Sequence, residues 1–316
     1  MKGHGPIDAM EYPRFSGIRT FMRLPHVTDL ENVDFAVIGA PFDTGATYRV
    51  GARFGPEGIR SASVLLRPYN ASLDVLIFDH LSGVDYGDFG VVPGYLPESH
   101  NKITEGMRPL LEAGVTPIVL GGDHSVTLPE LRAVVEKFGP VALIQFDSHG
   151  DVWEGYFGGK DTHGTPFRRA IEEGLLDTSR SIQIGLRGPV YEFADIQQSR
   201  DLGFQVIMAD EVRQLGLDRV ISAIQERAGD GPCFLTFDID FVDPTFAPAT
   251  GTPEVGGFTS WESQYLVRGL QGLNFVAFDL VEVSPPYDNA GATTCLLAAN
   301  LVYEFISLLA LARRGS

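Results

Sequence analysis

Four apolar segments of this chain each run straight into a cluster of carboxylates, histidine or both, and that arrangement constrains the fold more than any other feature. Pro117–Leu120 leads into GGDH, Val141–Phe146 into DSHGD, Phe234–Phe237 into DID and Phe275–Leu280 into VEVSP. Phe35–Ile38, Ser181–Ile184 and Gln205–Met208 are apolar in the same way. Segments this short and this apolar read as strands buried on both faces, the habit of a parallel sheet. Helix-like stretches alternate with them: Pro56–Leu66, Thr104–Ala113, Leu128–Lys137, Pro166–Glu173, Asp218–Arg227, Ser260–Leu270 and Cys295–Ala312. Pro56 suits a first helical turn, whereas Pro109 sits inside the second stretch and removes a hydrogen bond from it. The alternation predicts an α/β chain folded as a three-layer αβα sandwich around a mainly parallel β-sheet. In open sheets of this kind the ligand crevice lies outside the carboxyl ends of the strands. The four polar clusters are therefore expected to converge there.

Composition narrows the possibilities further. Apolar residues make up 44% and charged residues 21%, the balance of an ordered globular protein. No repeat, low-complexity tract or linker divides the chain, so one domain over residues 1–316 is expected. No run approaches the ~20 apolar residues that a bilayer span needs. The start, MKGHGPIDAMEYPRF, lacks the apolar centre of a secretory signal. A cytoplasmic protein without a membrane partner is expected. The formal charge of −17 argues against a nucleic-acid partner, which demands a basic surface. Such a surface can attract a cationic substrate, although keeping a protein in solution is the commoner use. Cys233 and Cys295 lie in the apolar runs GPCFLTF and TTCLLAA, which predicts buried core thiols and no disulfide.

The polar clusters carry the chemistry. They comprise Asp123 and His124 in GGDHS, Asp147, His149 and Asp151 in DSHGD, His163 in DTHGT, Asp238, Asp240 and Asp243 in TFDIDFVDP, and Glu282 in LVEVSP. If Asp147–Asp151 were extended, its three ligand-type side chains would point the same way, as would Asp238 and Asp240. Mixed imidazole and carboxylate ligands suit Mn²⁺, Zn²⁺, Fe²⁺, Co²⁺ or Ni²⁺. Taken alone, one such triplet is more often a solvated turn. A second pair at another strand end, with GGDH, makes a metal site the better reading, because clustered carboxylates repel one another unless a cation joins them. Two histidines and four aspartates exceed what one ion usually needs and suit two ions that share bridging carboxylates.

In order and spacing these motifs resemble the ureohydrolase (arginase/agmatinase) family. The resemblance runs from ARFGPEGIR through GGDHS, FDSHGD, HGTPFRRA and FDIDFVDPTFAPATGTPEVGG to LVEVSPPYD. It implies two divalent ions per chain, usually Mn²⁺, with Ni²⁺ as the alternative. One ion would be held by His124, Asp147, Asp151 and Asp238, the other by Asp147, His149, Asp238 and Asp240. His163 matches the family's catalytic histidine and Glu282 the carboxylate that grips the guanidinium. His163 or Asp240 would supply the proton with which the amine leaves. Without the resemblance, His163 and Glu282 would read as a loop histidine and a surface carboxylate. Asp123, Asp243 and the glycines match no ligand role and read as supports behind the ligands, caps or turns.

The resemblance also implies a reaction, the hydrolysis of a small guanidino compound to urea and an amine. Arginine is disfavoured as substrate. Arginases place an Asn two residues beyond the last Asp of the motif, where this chain has Trp153, either an aromatic substrate contact or simple packing. Agmatine is the first expectation, and 4-guanidinobutyrate or 3-guanidinopropionate the alternative. An ammonium tail would want a carboxylate or aromatic partner. A carboxylate tail would want Arg, Lys or backbone N–H groups; Arg49 is a candidate, although a structural ion pair is the commoner role for such a residue. Ser148 and Gly150 stand where relatives mostly read otherwise, which leaves room for a nickel enzyme acting on guanidine or biguanides. An inactive subunit, or a one-metal amide hydrolase of related fold, are the rival classes. Relatives form trimers or hexamers, so a homo-oligomer is expected, with Cys295–Ala312 in the core.

Overall fold

The computed structural model describes residues 3–315. Its strands are β1 (Phe35–Gly39), β2 (Tyr69–Asn70), β3 (Val75–Leu76), β4 (Gly83–Asp88), β5 (Thr116–Leu120), β6 (Ala142–Phe146), β7 (Ile182–Leu186), β8 (Gln205–Met208), β9 (Pro232–Asp238) and β10 (Asn274–Val281). Its α-helices are α1 (Gly55–Ser63), α2 (Leu96–Glu112), α3 (Thr127–Phe138), α4 (Pro166–Glu172), α5 (Phe193–Asp201), α6 (Ala209–Leu215), α7 (Leu217–Ala228), α8 (Ser260–Arg268) and α9 (Thr293–Arg314). Eight strands form one sheet in the order β4-β1-β5-β10-β9-β6-β7-β8, and every pairing in it is parallel. The short β2–β3 hairpin stands apart. The order places β5, β10, β9 and β6 side by side in the centre. These are the four strands that lead into GGDH, VEVSP, DID and DSHGD, so adjacency in the sheet brings the four clusters together.

Successive side chains of a strand point to opposite faces, and the core divides accordingly. Val37, Ile118, Leu120, Ile144 and Phe146 pack with Ile59 of α1, Ile224 of α7, Leu266 of α8 and Phe305 of α9. Ala36, Ile38, Val119 and Leu143 pack with Met107 of α2, Leu131 of α3 and Phe167 of α4 on the other face. This is the expected three-layer αβα arrangement. Cys233 and Cys295 are buried, unpaired thiols, also as expected.

The local expectations for five elements need correction. β4 was not anticipated, because GVDYGD at the sheet edge lacks the apolar signature of a strand covered on both sides. α5, which is strongly polar, and the seven-residue α6 were likewise missed. α2 begins at Leu96 rather than Thr104 and carries Pro109 in its last turn, where proline supplies no N–H for the carbonyl of Glu105. Finally, α9 is long and apolar enough to cross a bilayer by length and composition, contrary to the reading that no segment is. Most of that apolar stretch is buried within the protein, with Phe305 stacked on Phe278 at 5.1 Å.

Candidate metal centre

The GGDH turn follows β5 and crosses beneath the β1 loop. A side chain at Gly122 would collide with the carbonyl oxygen of Phe42, so only glycine allows this approach. Asp123 accepts hydrogen bonds from the N–H groups of Gly45 (2.7 Å) and Ser125 (3.0 Å) and caps the turn, the role expected of it. The next residue, His124, is wholly buried, its ring edge-on to Phe167 at 5.1 Å. Its Nε2 lies 2.9 Å from Thr236 Oγ1, which leaves Nδ1 to face the cavity.

Three carboxylates converge on that nitrogen. Asp147 Oδ2 lies 3.1 Å from His124 Nδ1, Asp151 Oδ2 2.9 Å and Asp238 Oδ2 3.2 Å. His124 Nδ1 is nevertheless buried without a properly directed hydrogen bond. A second group adjoins the first: His149 Nδ1 lies 3.0 Å from Asp240 Oδ2 and 3.6 Å from Asp147 Oδ1. Asp240 Oδ2 is also a buried atom without a hydrogen-bond partner. His124, Asp147 and Asp151, and likewise Asp147, His149 and Asp240, have the compactness of a cation's ligand set, and Asp238 stands beside them. Four buried carboxylates gathered around two imidazoles, with His124 Nδ1 and Asp240 Oδ2 left without hydrogen bonds, fit a metal site far better than a hydrogen-bonded core, since an unpaired buried charge is costly.

The electrostatics point the same way. Burial, then repulsion from Asp240 and Asp147, drives the Asp238 carboxyl well above its ordinary range. Burial and the Asp147 charge raise Asp151. Burial alone would lower the His124 imidazole, but the Asp147, Asp151 and Asp238 carboxylates beside its Nδ1 outweigh it and hold His124 well above its usual pKa. The site thus favours positive charge, for which protons and a metal ion would compete.

The side chains converge, but not by the extended geometry expected. After β6 the chain bends, and Asp147 Oδ1 accepts the N–H of His149 at 2.7 Å. Asp151 lies in the left-handed region at φ +50°. Asp238 caps a short 3₁₀ turn, Ile239–Phe241, by accepting the Asp240 N–H at 2.8 Å. In each motif the first aspartate captures the backbone two residues on, because a short carboxylate prefers that turn to an extended run. Ser148 donates to Asp240 Oδ1 from both Oγ (2.7 Å) and N (3.1 Å), and so holds that ligand candidate in place. Asp243 is confirmed as a turn residue, accepting the N–H groups of Thr245, Gly256 and Gly257.

His163 and Glu282 meet at the edge of this cage. His163 Nδ1 lies 2.8 Å from Glu282 Oε1, and Nε2 lies 2.7 Å from Thr47 Oγ1. Glu282 Oε1 also accepts the His124 N–H at 2.9 Å, whereas Oε2 is buried without a partner. Glu282 is held at φ +64°, a strained conformation of the kind functional sites retain. Burial lowers the His163 imidazole, but Glu282 outweighs that and raises its pKa to about 9. His163 does lie in a turn with both ring nitrogens partnered, but it is buried, and Glu282 is not the surface carboxylate that the residue alone would suggest.

Trp153 stands beside the cage, with Tyr156 and Tyr191 edge-on to its ring at 5.8 Å each. Arg49 makes no ion pair with any described residue. Its guanidinium lies over the rings of Tyr48 (5.5 Å) and Tyr287 (5.3 Å) instead. Sequence reasoning missed Thr47, Thr236 and Gly251. A side chain at Gly251 would bring its Cβ within 3.1 Å of Glu282 Oε2. Gly251 and its neighbour Thr252 lie in the quoted GTPEVGG stretch, whose position after DID was the available signal.

A cage of imidazole and carboxylate at the carboxyl edge of a parallel sheet is the construction of a metal-binding α/β enzyme. Residues 33–307 match the arginase family. A guanidinobutyrase of Pseudomonas aeruginosa is 47% identical over 309 residues, covering 97% of each chain. A mitochondrial agmatinase of Gallus gallus is 46% identical, over 93% of this chain and 86% of that one. The structure of proclavaminate amidinohydrolase from Streptomyces clavuligerus superposes with a TM-score of 0.91 at 41% identity, covering 95% of this chain and 99% of that one. A Trypanosoma cruzi formiminoglutamase solved with Mn²⁺ gives a TM-score of 0.81 at 26% identity, covering 90% and 96%. The chain belongs to the arginase family.

Proposed function

We propose that this enzyme hydrolyses a C–N bond of a linear guanidino compound, releasing urea and an amine, and that two divalent cations, Mn²⁺ in the first instance, serve the reaction. His124, Asp147, Asp151 and Asp238 would hold one cation, and Asp147, His149, Asp238 and Asp240 the other. The observation that carries this reading is the convergence of three buried carboxylate oxygens on the orphaned Nδ1 of His124, all within 3.2 Å. When bound, the cations supply a hydroxide nucleophile at neutral pH and stabilise negative charge as it develops.

The protein's own groups do the rest. Guanidinium is a weak electrophile and must be held in register with the nucleophile. Glu282 Oε2 is buried, unpaired and fixed by the two hydrogen bonds to Oε1, so it is free to accept a guanidinium N–H. Gly251 leaves the space beside that oxygen open. Glu282 also favours the protonated form of His163, which can then deliver a proton to the departing amine. Thr47 Oγ1 fixes the outer nitrogen of that imidazole. Asp240 is the second candidate for this proton transfer. His163 suits the role better, since Glu282 favours its protonated form.

The test is a urea-release screen of metal-loaded protein across agmatine, 4-guanidinobutyrate, 3-guanidinopropionate, arginine, guanidine and biguanides, with Mn²⁺ and Ni²⁺ in parallel. Urea from a linear guanidino compound is expected. No urea from any of them would refute the reading, and preference for arginine would refute the exclusion based on Trp153.

A further inference from the structure

A larger chamber opens beside the metal cage. A small space of about 80 Å³ lies against His163, Thr47 and Asp238, and a cavity of about 350 Å³ adjoins it. The two share His149, Asp151, Trp153 and Tyr156 as walls, so a substrate held at Glu282 has one roomy direction in which to extend. The rings of Trp153, Tyr156 and Tyr191 form one side of the larger cavity.

Three charged residues besides the cage line that cavity, and their hydrogen bonds separate their roles. Asp195 accepts the N–H groups of Tyr191 (2.8 Å) and Glu192 (2.9 Å) and is committed to capping α5. Arg187 donates to the backbone carbonyls of Asp240 (2.6 Å), Glu254 (2.8 Å), Val255 (3.2 Å) and Gly185 (3.3 Å), so it fastens the wall together. Of the three, only the Glu254 carboxylate has neither a hydrogen bond nor an ion pair with a described residue, although it lies within the electrostatic reach of Arg187. Room for it exists because residue 188 is glycine, at φ +83°; a Cβ there would stand 2.5 Å from Glu254 Oε2. Arg49, the arginine that might have met an anionic tail, lines neither space.

We propose that this cavity is the subsite for the tail of the substrate, and that Glu254, with the aromatic wall, takes a terminal ammonium group. The preferred substrate is then a guanidino compound with a cationic tail, such as agmatine, and not a guanidino acid. Aromatic faces attract ammonium ions, and a free carboxylate beside them adds a charge-assisted hydrogen bond while repelling a carboxylate tail. The proposal rests on the guanidino-hydrolase reading above.

The experiment compares kcat/KM of the Mn²⁺-loaded enzyme for agmatine, butylguanidine and 4-guanidinobutyrate, whose tails are cationic, neutral and anionic. Wild type should prefer agmatine. Glu254→Gln should lower the agmatine-to-butylguanidine ratio about 10- to 100-fold, mainly through KM. Glu254→Lys should move the preference to 4-guanidinobutyrate. A wild type that favours 4-guanidinobutyrate over agmatine, or a Glu254→Gln variant whose ratio stays within about twofold, overturns the proposal and leaves the hydrolase reading standing. No urea from any of the three by wild type overturns both.

Discussion

The His163–Glu282 pair permits a quantitative prediction for Glu282→Gln. In the native protein Glu282 Oε1 stands 2.8 Å from His163 Nδ1 and outweighs burial to raise the imidazole from 6.5 to about 9. That rise corresponds to roughly 3 kcal/mol of preference for the charged ring. The variant keeps the burial and loses the Glu282 attraction, leaving only the weaker pull of Asp123 and Asp151, so the His163 pKa should fall well below its native value. The sign of the stability effect follows. A pKa raised on folding stabilises the native state fully below about 6.5, and the contribution is lost as pH rises through about 9. The assay is histidine-ring NMR of chelator-treated protein, in which only seven histidines must be resolved and His163→Asn assigns the signal. Restoring divalent cations should lower the native value, because like charges repel. A His163 ring that titrates near 9 in the Glu282→Gln variant, or below 6.5 in the native protein, would refute the reasoning.

Three further outcomes can be checked. Ser148→Ala removes the 2.7 Å hydrogen bond to Asp240 Oδ1 but leaves the backbone one; metal affinity by competitive titration should fall about tenfold with little change in stability. Gly251→Ala places a methyl group 3.1 Å from Glu282 Oε2, so kcat/KM for every guanidino substrate should fall about tenfold or more while circular dichroism stays native. Phe305→Ala empties a fully buried position stacked on Phe278 and should cost about 3–5 kcal/mol in denaturant unfolding.

The sheet was largely legible in the sequence because its seven apolar strands are covered on both faces and declare themselves by composition. β4 lies at the edge, where GVDYGD needs little apolar character, and was invisible for that reason. α5 escaped because FADIQQSRD is polar almost throughout and presents no apolar stripe to read. At the site, the strand-end clusters identified the side chains that converge, and the sheet order explains why they do. Their local geometry was not legible: an alternating DxHxD pattern suggests extension, whereas the backbone bends so that Asp147 can capture the His149 N–H. Residues that act through position, such as Thr47, Thr236 and Gly251, carry no chemical signature of their own. Glu254 was in plain view within TPEVGG, but its significance depends on a cavity that no spacing in the sequence reveals.

The central claim is that His124, His149 and four aspartates hold a pair of cations. Its most direct test is the metal content of protein dialysed against excess Mn²⁺ and then freed of loose ions, measured by inductively coupled plasma mass spectrometry for wild type and Asp147→Ala. Two ions per chain in wild type, and no more than one in the variant, is the predicted result. Wild type that retains no ion, or a variant that still holds two, would contradict it.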